Sequence, residues 1–479
     1  MQSIKTHILA LLSCLLLPLM PKAQEVYISE PVSLRSTSRY ELLNPRKGSL
    51  LLLLEHLTEV EIIAFDEEMH QSWTKNLELD RRRPQIVRTV SQKGGFSILY
   101  IYRKNSQAYL KIHRYNAAAN LTDSLTLSPL ETALYEVGLQ TVLSEDRQKL
   151  LIYQQKFQGR VWAMVFDFRQ MKPLWEWEGE IESLAGNRFF ADFLVDNEGN
   201  MYVLTEENNR KSKLQEHRLN IYTYTGSGKK PAHALMLMPD FITHEQRYRY
   251  DNLHHAIVGG GLFTDESLNR AVGSFFLRMP LENGEQNGIP VLTYRPFDEL
   301  FITKITNRDR AKGIGHAFVQ DVVSRQDGGV ILLCERSHAF EHNRALASPA
   351  SSRFSSRFAV DYYFDEVFAL SYSPDGQLEW DNILHKKQYS QNDEGIFSSY
   401  FLATTTARLR LLFNDEIRYE NTVSSYNLTG DGKARRTTLF NTQHLALQLR
   451  FTEALQMSAK EIVIPSEKRN ELKLVKVTL

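Results

Sequence analysis

Residues 365–387, DEVFALSYSPDGQLEWDNILHKK, alternate Val367, Ala369 and Ser371 with Phe368, Leu370 and Tyr372, turn through Ser-Pro-Asp-Gly, and resume with Leu378, Trp380, Ile383 and Leu384. Period-two alternation is the signature of a strand. Pro374 presets φ for the turn and Gly376 can occupy its φ > 0 position. The stretch therefore reads as a β-hairpin, and looser copies of it recur along the chain. Residues 49–55 (SLLLLLE) and 59–65 precede Trp73. Residues 96–102 and 108–115 precede 121–127, and 149–154 and 161–168 precede Trp175 and Trp177. The fourth copy places 201–206 and 219–225 before 233–238.

The copies begin at intervals of about 50 residues, a spacing that marks solenoids, propellers and arrays. The fifth is less regular, with 259–263 opening a strand that ends there or gives way to 271–279. A sixth starts at 330–335 and a seventh at 408–413. The last unit, 461–465 and 471–479, is short by a strand, and 32–43 near the N-terminus reads as a strand without a unit. A ring closed by both chain ends leaves that pattern. Blades stacked around a ring bury faces that no blade can bury alone, with only short edges exposed. The expected fold is all-β: an eight-bladed β-propeller, with seven blades as the alternative. Residues 24–479 form its single domain, interrupted at about 336–357 by a segment of loop composition, SPASSRFSSR.

The units SYSPDGQLEW at 371–380, VDNEGNMYVL at 195–204 and QDGGVILL at 326–333 resemble those of uncharacterised exported β-propeller-like proteins of Bacteroidota-type bacteria. The resemblance covers nearly all of residues 24–479. It rests on turn chemistry, since neither a repeating Trp-Asp dipeptide nor a kelch pattern recurs unit by unit. It implies fold and export and carries no activity.

Lys5 and His7 precede an apolar run at 8–20, and Ala23 stands where a signal peptidase cuts. Residues 1–23 are thus expected to be a signal peptide, and the mature chain periplasmic or secreted. A lipid anchor at Cys14 is disfavoured, because cleavage there would leave 15–20 exposed where a polar tether belongs. No later run is long enough for a spanning helix. Cys334, inside an apolar strand, reads as a buried thiol. Lys plus Arg and Asp plus Glu number 57 each, so the chain lacks the overall basic charge of a dedicated nucleic-acid binder.

Two constellations stand out. Arg247, Tyr248, Arg249, Tyr250 and Asp251, followed by His254 and His255, interleave cations with aromatics, a mixture suited to stacking on sugars or holding an anion, with Arg247, Tyr248, Tyr250, His254 and His255 as the candidate binding residues. His338 and His342 fit H-x-x-E-H, whose metal chemistry requires both histidines on one helix face. His338 follows a strand and precedes the loop-like segment, so these two are weak candidates and no metal or other cofactor is expected. The aspartates of DNEGN, SPDGQ and TGDGK read as turn residues. No catalytic residue is named. The expected function is that of an exported, non-enzymatic monomer that binds a protein or glycan partner. The alternative is an exported hydrolase or lyase with its site in the central funnel, where residues distant in sequence would converge.

Overall fold

The computed structural model describes residues 25–479 apart from 47, 81–83, 106, 131–137, 186–189, 211–215, 239–240, 265–269, 283, 344–357 and 416–421. The signal-peptide segment lies outside the described residues. Among the described residues the strands form eight antiparallel sheets of four or five strands and one two-stranded pair, an eight-bladed β-propeller. Blade 1 runs Thr37–Arg46, Ser49–His56, Val60–Phe65 and Gln71–Leu77. Blade 2 runs Gln85–Gln92, Gly95–Lys104, Gln107–Asn116 and Leu121–Leu130, and blade 3 Gln140–Leu143, Lys149–Gln155, Arg160–Asp167 and Lys172–Glu180. Blade 4 comprises Ala191–Val195, Met201–Glu207, Arg218–Tyr224 and Ala232–Leu237. Blade 5 comprises Ile242–Asp251, Ala256–Thr264, Gly273–Glu282 and Val291–Pro296. Blade 6 comprises Ala317–Ser324, Val330–Asn343, Phe358–Tyr372 and Leu378–Leu384, and blade 7 Phe401–Thr404, Arg408–Asn414, Thr422–Thr429 and Ala434–Asn441.

Blade 8 is shared between the chain ends. Leu455–Gln456, Glu461–Lys468 and Glu471–Thr478 supply three strands, and Val26–Ile28 pairs with Val475–Val477 as the fourth. Val32–Ser33 pairs farther along the same edge. Between the two pieces Ser29 accepts the Leu474 N–H on its Oγ at 2.9 Å and returns its own N–H to Leu474 O at 2.9 Å, so a hydroxyl carries the ladder across the irregularity. The closing strands thus lie before residue 34, whereas residues 37–43 of the segment expected to close the ring belong to the first strand of blade 1.

Each unit also has one strand more than the hairpin-plus-tryptophan pattern indicates. The added strand is the first, and Trp73, Trp175, Trp177 and Trp380 sit on the fourth. Blade 5 uses both of its candidate strands in turn.

Apolar runs such as SLLLLLE follow from the ring. Leu51 and Leu53 face blade 2, packing with Ile98 and Tyr100, while Leu50, Leu52 and Leu54 face blade 8, packing with Val463, Leu472 and Leu474. A central strand of a blade has buried neighbours on both faces, so alternation disappears. Similar clusters fill the other junctions, including the one between blades 7 and 8, where Leu412 and Val423 meet Ile462, Val475 and Val477.

The tryptophan and the glycine turn form a clasp between successive blades. Trp175, on the fourth strand of blade 3, donates Nε1–H to Gly199 O in blade 4 at 2.9 Å. Trp380 of blade 6 does the same to Gly430 O of blade 7 at 3.0 Å. At Gly226 (φ +79°) and Gly432 (φ +80°) a Cβ would lie 2.5 and 2.6 Å from the indole carbons of Trp175 and Trp380. Only glycine meets both the backbone angle and the contact.

The helix Glu299–Thr306 bridges blades 5 and 6. Asp298 caps it by accepting Phe301 N–H at 2.7 Å, and Phe301, Ile302 and Ile305 enter the core between those blades. A buried ion pair, Lys386 Nζ to Glu335 Oε1 at 2.6 Å with side chains 2 % and 0 % exposed, holds the segment that leaves the fourth strand of blade 6 against that blade's second strand. Ser399 Oγ donates to Glu335 Oε2 at 2.7 Å, and Lys386 also donates to Gln388 Oε1 at 2.9 Å. Among the described residues no helix is long and apolar enough to cross a membrane.

Candidate functional site

The first strands of blades 3 to 7 surround a central cavity of about 980 Å³. These strands are inner edges, where side chains meet the open axis as well as neighbouring blades, so polar residues are tolerated between apolar ones. In Ile242–Asp251 the alternation is plain: Gln246, Tyr248 and Tyr250 are buried, while Arg247 and Arg249 are exposed to the cavity.

Arg247 Nε donates to Val319 O of blade 6 at 2.6 Å, which fixes the guanidinium across the blade junction. Its charge acts on Asp192 of blade 4. Burial pushes the Asp192 carboxyl up to about 6, opposed by a hydrogen bond from Phe193 N–H at 2.9 Å and by Arg247. On the far wall Asp321 accepts Tyr400 O–H at 2.9 Å. Arg325 is held by Asp327 at 2.6 Å, by Ser371 Oγ at 2.8 Å and by Glu379. Turns around the mouth are linked in sequence: Asn252 donates to Glu145 Oε2 at 2.8 Å, and Asn197 N–H donates to Asn252 Oδ1 at 2.8 Å. These bonds join blades 3, 4 and 5 into one rim. Arg249 and Arg408 also line the cavity, and among the described residues neither forms an ion pair. The site therefore offers a polar rim linked by hydrogen bonds, two cations without internal counter-charges, and one half-buried carboxyl raised to about 6.

The residues singled out in the sequence separate here. Arg247 faces the cavity. Tyr248 and Tyr250 lie in its wall, but their rings are only 3 % and 8 % exposed and belong to the core between blades 4 and 5. Tyr248 O–H donates to Gln246 Oε1 at 2.9 Å; Tyr250 stacks on Tyr202 with centroids 4.6 Å apart and donates to Leu281 O at 2.9 Å. Burial raises both phenols, Tyr250 to about 12. His254 and His255 form the turn after the strand: His254 Nδ1 lies 2.8 Å from Asp251 Oδ2, and His255 takes φ +46°.

His338 and His342 lie on neither a helix nor a loop. They continue the second strand of blade 6, in a hairpin where Ser337–Asn343 pairs with Phe358–Phe364. Four residues of strand span about 13 Å, so the two rings do not share the face-to-face reach that the helical motif provides. The His338 ring instead stacks between His316 (5.1 Å) and Tyr363 (4.7 Å). Among the described residues no three metal-ligating side chains converge. The turn aspartates spend their oxygens locally: Asp196 Oδ1 accepts from Glu198, Gly199 and Asn200 N–H groups at 2.8–3.0 Å.

Arg249 belongs to the cluster marked in the sequence, whereas Asp192, Asp321 and Arg408 went unmarked. The one available signal was the alternation Arg-Tyr-Arg-Tyr, which places both arginines on the face opposite the tyrosines.

No protein-family model and no curated protein matches the chain. Solved structures do. The β-propeller domain of the Trilobed protease from Pyrococcus furiosus is 13 % identical over 84 % of this chain and 98 % of its own, with a TM-score of 0.33. BamB from Moraxella catarrhalis is 10 % identical over 95 % of this chain and 100 % of its own, with a TM-score of 0.36. Prolyl oligopeptidase B from Galerina marginata is 10 % identical over 87 % of this chain and 50 % of its own, with a TM-score of 0.38. Likeness at this level says nothing about chemistry. The functional reading rests on the cavity.

Proposed function

We propose that this protein is an exported, non-enzymatic binding module that receives a protein or glycan partner at the mouth of its central cavity. The carrying observation is the pair Arg249 and Arg408, which line a preformed cavity of mixed polar and apolar lining without an ion-pair partner among the described residues. An incoming carboxylate, or a hydroxyl-rich chain, satisfies them with little reorganisation, because the rim is already held by hydrogen bonds between blades. The apolar run at 8–20 and Ala23 support export to the periplasm or beyond. Binding should be compared for wild type and Arg249→Glu on an array of acidic and neutral glycans and by affinity capture from the exported fraction. A ligand held by the wild type and lost on charge reversal supports the reading. Equal retention by the variant, or no ligand in either assay, refutes it.

Asp192 favours a second reading, a hydrolase or lyase in which this carboxyl, pushed up to about 6, serves as the acid. Turnover on a hydrolase and lyase panel that disappears in Asp192→Asn, with the fold intact, would select it.

A further inference from the structure

Blades 7 and 8 part beside the cavity to leave a second cleft of about 740 Å³. Its wall on blade 7 is one face of the sheet. Arg410, Asn427 and Arg435 stand opposite one another across the second, third and fourth strands, with Arg408 opposite Thr429 in the adjacent row. Arg408, Arg410, Lys433, Arg435 and Lys460 line the cleft against one acidic side chain, Glu25. In a chain whose charges balance overall, that excess is local and of one sign.

These cations are poorly compensated from within. Lys433 reaches Asp431 at 2.6 Å on the exposed rim, and the other four form no ion pair among the described residues. Arg410 Nε is buried without a hydrogen-bond partner among the described residues. Burial, and then the neighbouring Arg408 charge, pull the Arg410 guanidinium below its ordinary range. A buried donor left unmet and like charges held together both cost stability, and an anion seated between them relieves both costs.

The lining also narrows the ligand. Ser425, Asn427, Thr429, Thr437 and Thr438 supply hydroxyl and amide groups. Among the described residues no aromatic ring lines the cleft, which gives nucleobases no platform there on which to stack. Guanidinium forks match carboxylates in two-point geometry. Strands two apart put the Arg410 and Arg435 backbones about 10 Å from each other, a separation suited to a ligand whose charges recur along its length.

We propose that the cleft between blades 7 and 8 binds an acidic oligosaccharide, with sugar carboxylates on Arg410 and Arg435 and sugar hydroxyls on Asn427 and the neighbouring hydroxyl side chains. Arg408 and Thr429 border both the cleft and the central cavity, so a chain lying in the cleft leads to the cavity mouth. The cleft extends the binding-module reading to a second site and is tested separately from the cavity.

The test is calorimetric titration with tetragalacturonate, a neutral tetragalactoside and inorganic phosphate. The acidic tetramer should bind and the neutral one should not. Affinity should fall severalfold when salt is raised from about 50 to about 500 mM. Arg435→Glu, at an exposed position, should weaken binding by about tenfold or more with an unchanged melting temperature, and Arg410→Gln combined with Arg435→Gln should weaken it as well. Lys230→Gln, in a distant exposed turn, should have no effect. Absence of tetragalacturonate binding, retained affinity in Arg435→Glu, or phosphate binding as tight as the tetramer overturns the proposal. So does loss of binding in Arg249→Glu while the cleft variants bind normally, which assigns the ligand to the cavity instead.

Discussion

Replacing Lys386 by Met tests the buried ion pair that holds the exit segment of blade 6 to its second strand. In the native protein Glu335 is fully buried, with Lys386 on one oxygen and the Ser399 hydroxyl on the other. Methionine fills much of the lysine volume but leaves a buried carboxylate facing an apolar group, and removing one partner of such a pair costs about 3–5 kcal/mol. Unfolding entropy near 2.1 cal/mol/K per residue, over about 450 residues, is roughly 0.9 kcal/mol/K, so a loss of about 4 kcal/mol lowers the melting temperature by about 4 °C. Lys386→Met combined with Glu335→Leu removes both charges and should recover most of that loss, because a desolvated ion pair contributes little net stability over apolar replacements. Differential scanning calorimetry of wild type, both single variants and the double variant measures the coupling. A single variant that melts within about 1 °C of wild type, or a double variant no more stable than Lys386→Met, would refute this account.

Asp192 gives a pH signature. Its carboxyl is raised in the folded protein, to about 6 from an ordinary 3.8, so the native state holds the proton more tightly. The contribution is fully present below pH 3.8 and is lost as pH rises through about 6. Asp192→Asn should therefore melt with wild type near the acid end and exceed it at pH 7 by about 3 kcal/mol, read from melting curves across that range. Gly432→Ala forces a Cβ against Trp380 at φ +80° and should cost about 1–3 kcal/mol, whereas alanine at Gly94, which has open space at its Cβ position, should cost only the backbone strain; denaturant titration compares them. Ser29→Ala leaves the Leu474 N–H without its acceptor and should lower stability by about 1–2 kcal/mol, with faster amide exchange along residues 471–478. Cys334 is fully buried and its thiol is raised by burial, so Ellman's reagent should label it only after denaturant is added.

The central strands of the blades were legible in the sequence because each is a run of apolar residues bounded by turn chemistry, as at SLLLLLE and SYSPDGQLEW. The period was legible for the same reason, and with the shortened last unit it pointed to the eight-bladed ring. The first strands were not. ADFLV and FLAT are short and mixed, because an inner edge meets blades on its flanks and open space on the axis, and no single periodicity describes that environment. The strand that closes the ring was misplaced by a few residues, since the hydrogen bond of Ser29 to Leu474 connects positions at opposite ends of the chain.

The candidate site divides along the same line. The alternation of arginine and tyrosine at 247–250 was local and visible, but which face was core depended on Tyr202, which only the packing of blade 4 against blade 5 brings there. The H-x-x-E-H spacing was equally visible, and its chemistry depended on a helix that the pairing of Ser337–Asn343 with Phe358–Phe364 replaces by a strand. Residue order therefore determined the repeat, the turns and the tryptophan positions, because those depend on neighbours in the chain. Closure of the ring decided the cavity, the meeting of Asp192 with Arg247 and the row of cations on blade 7, because those depend on which edges and faces the eight sheets leave uncovered.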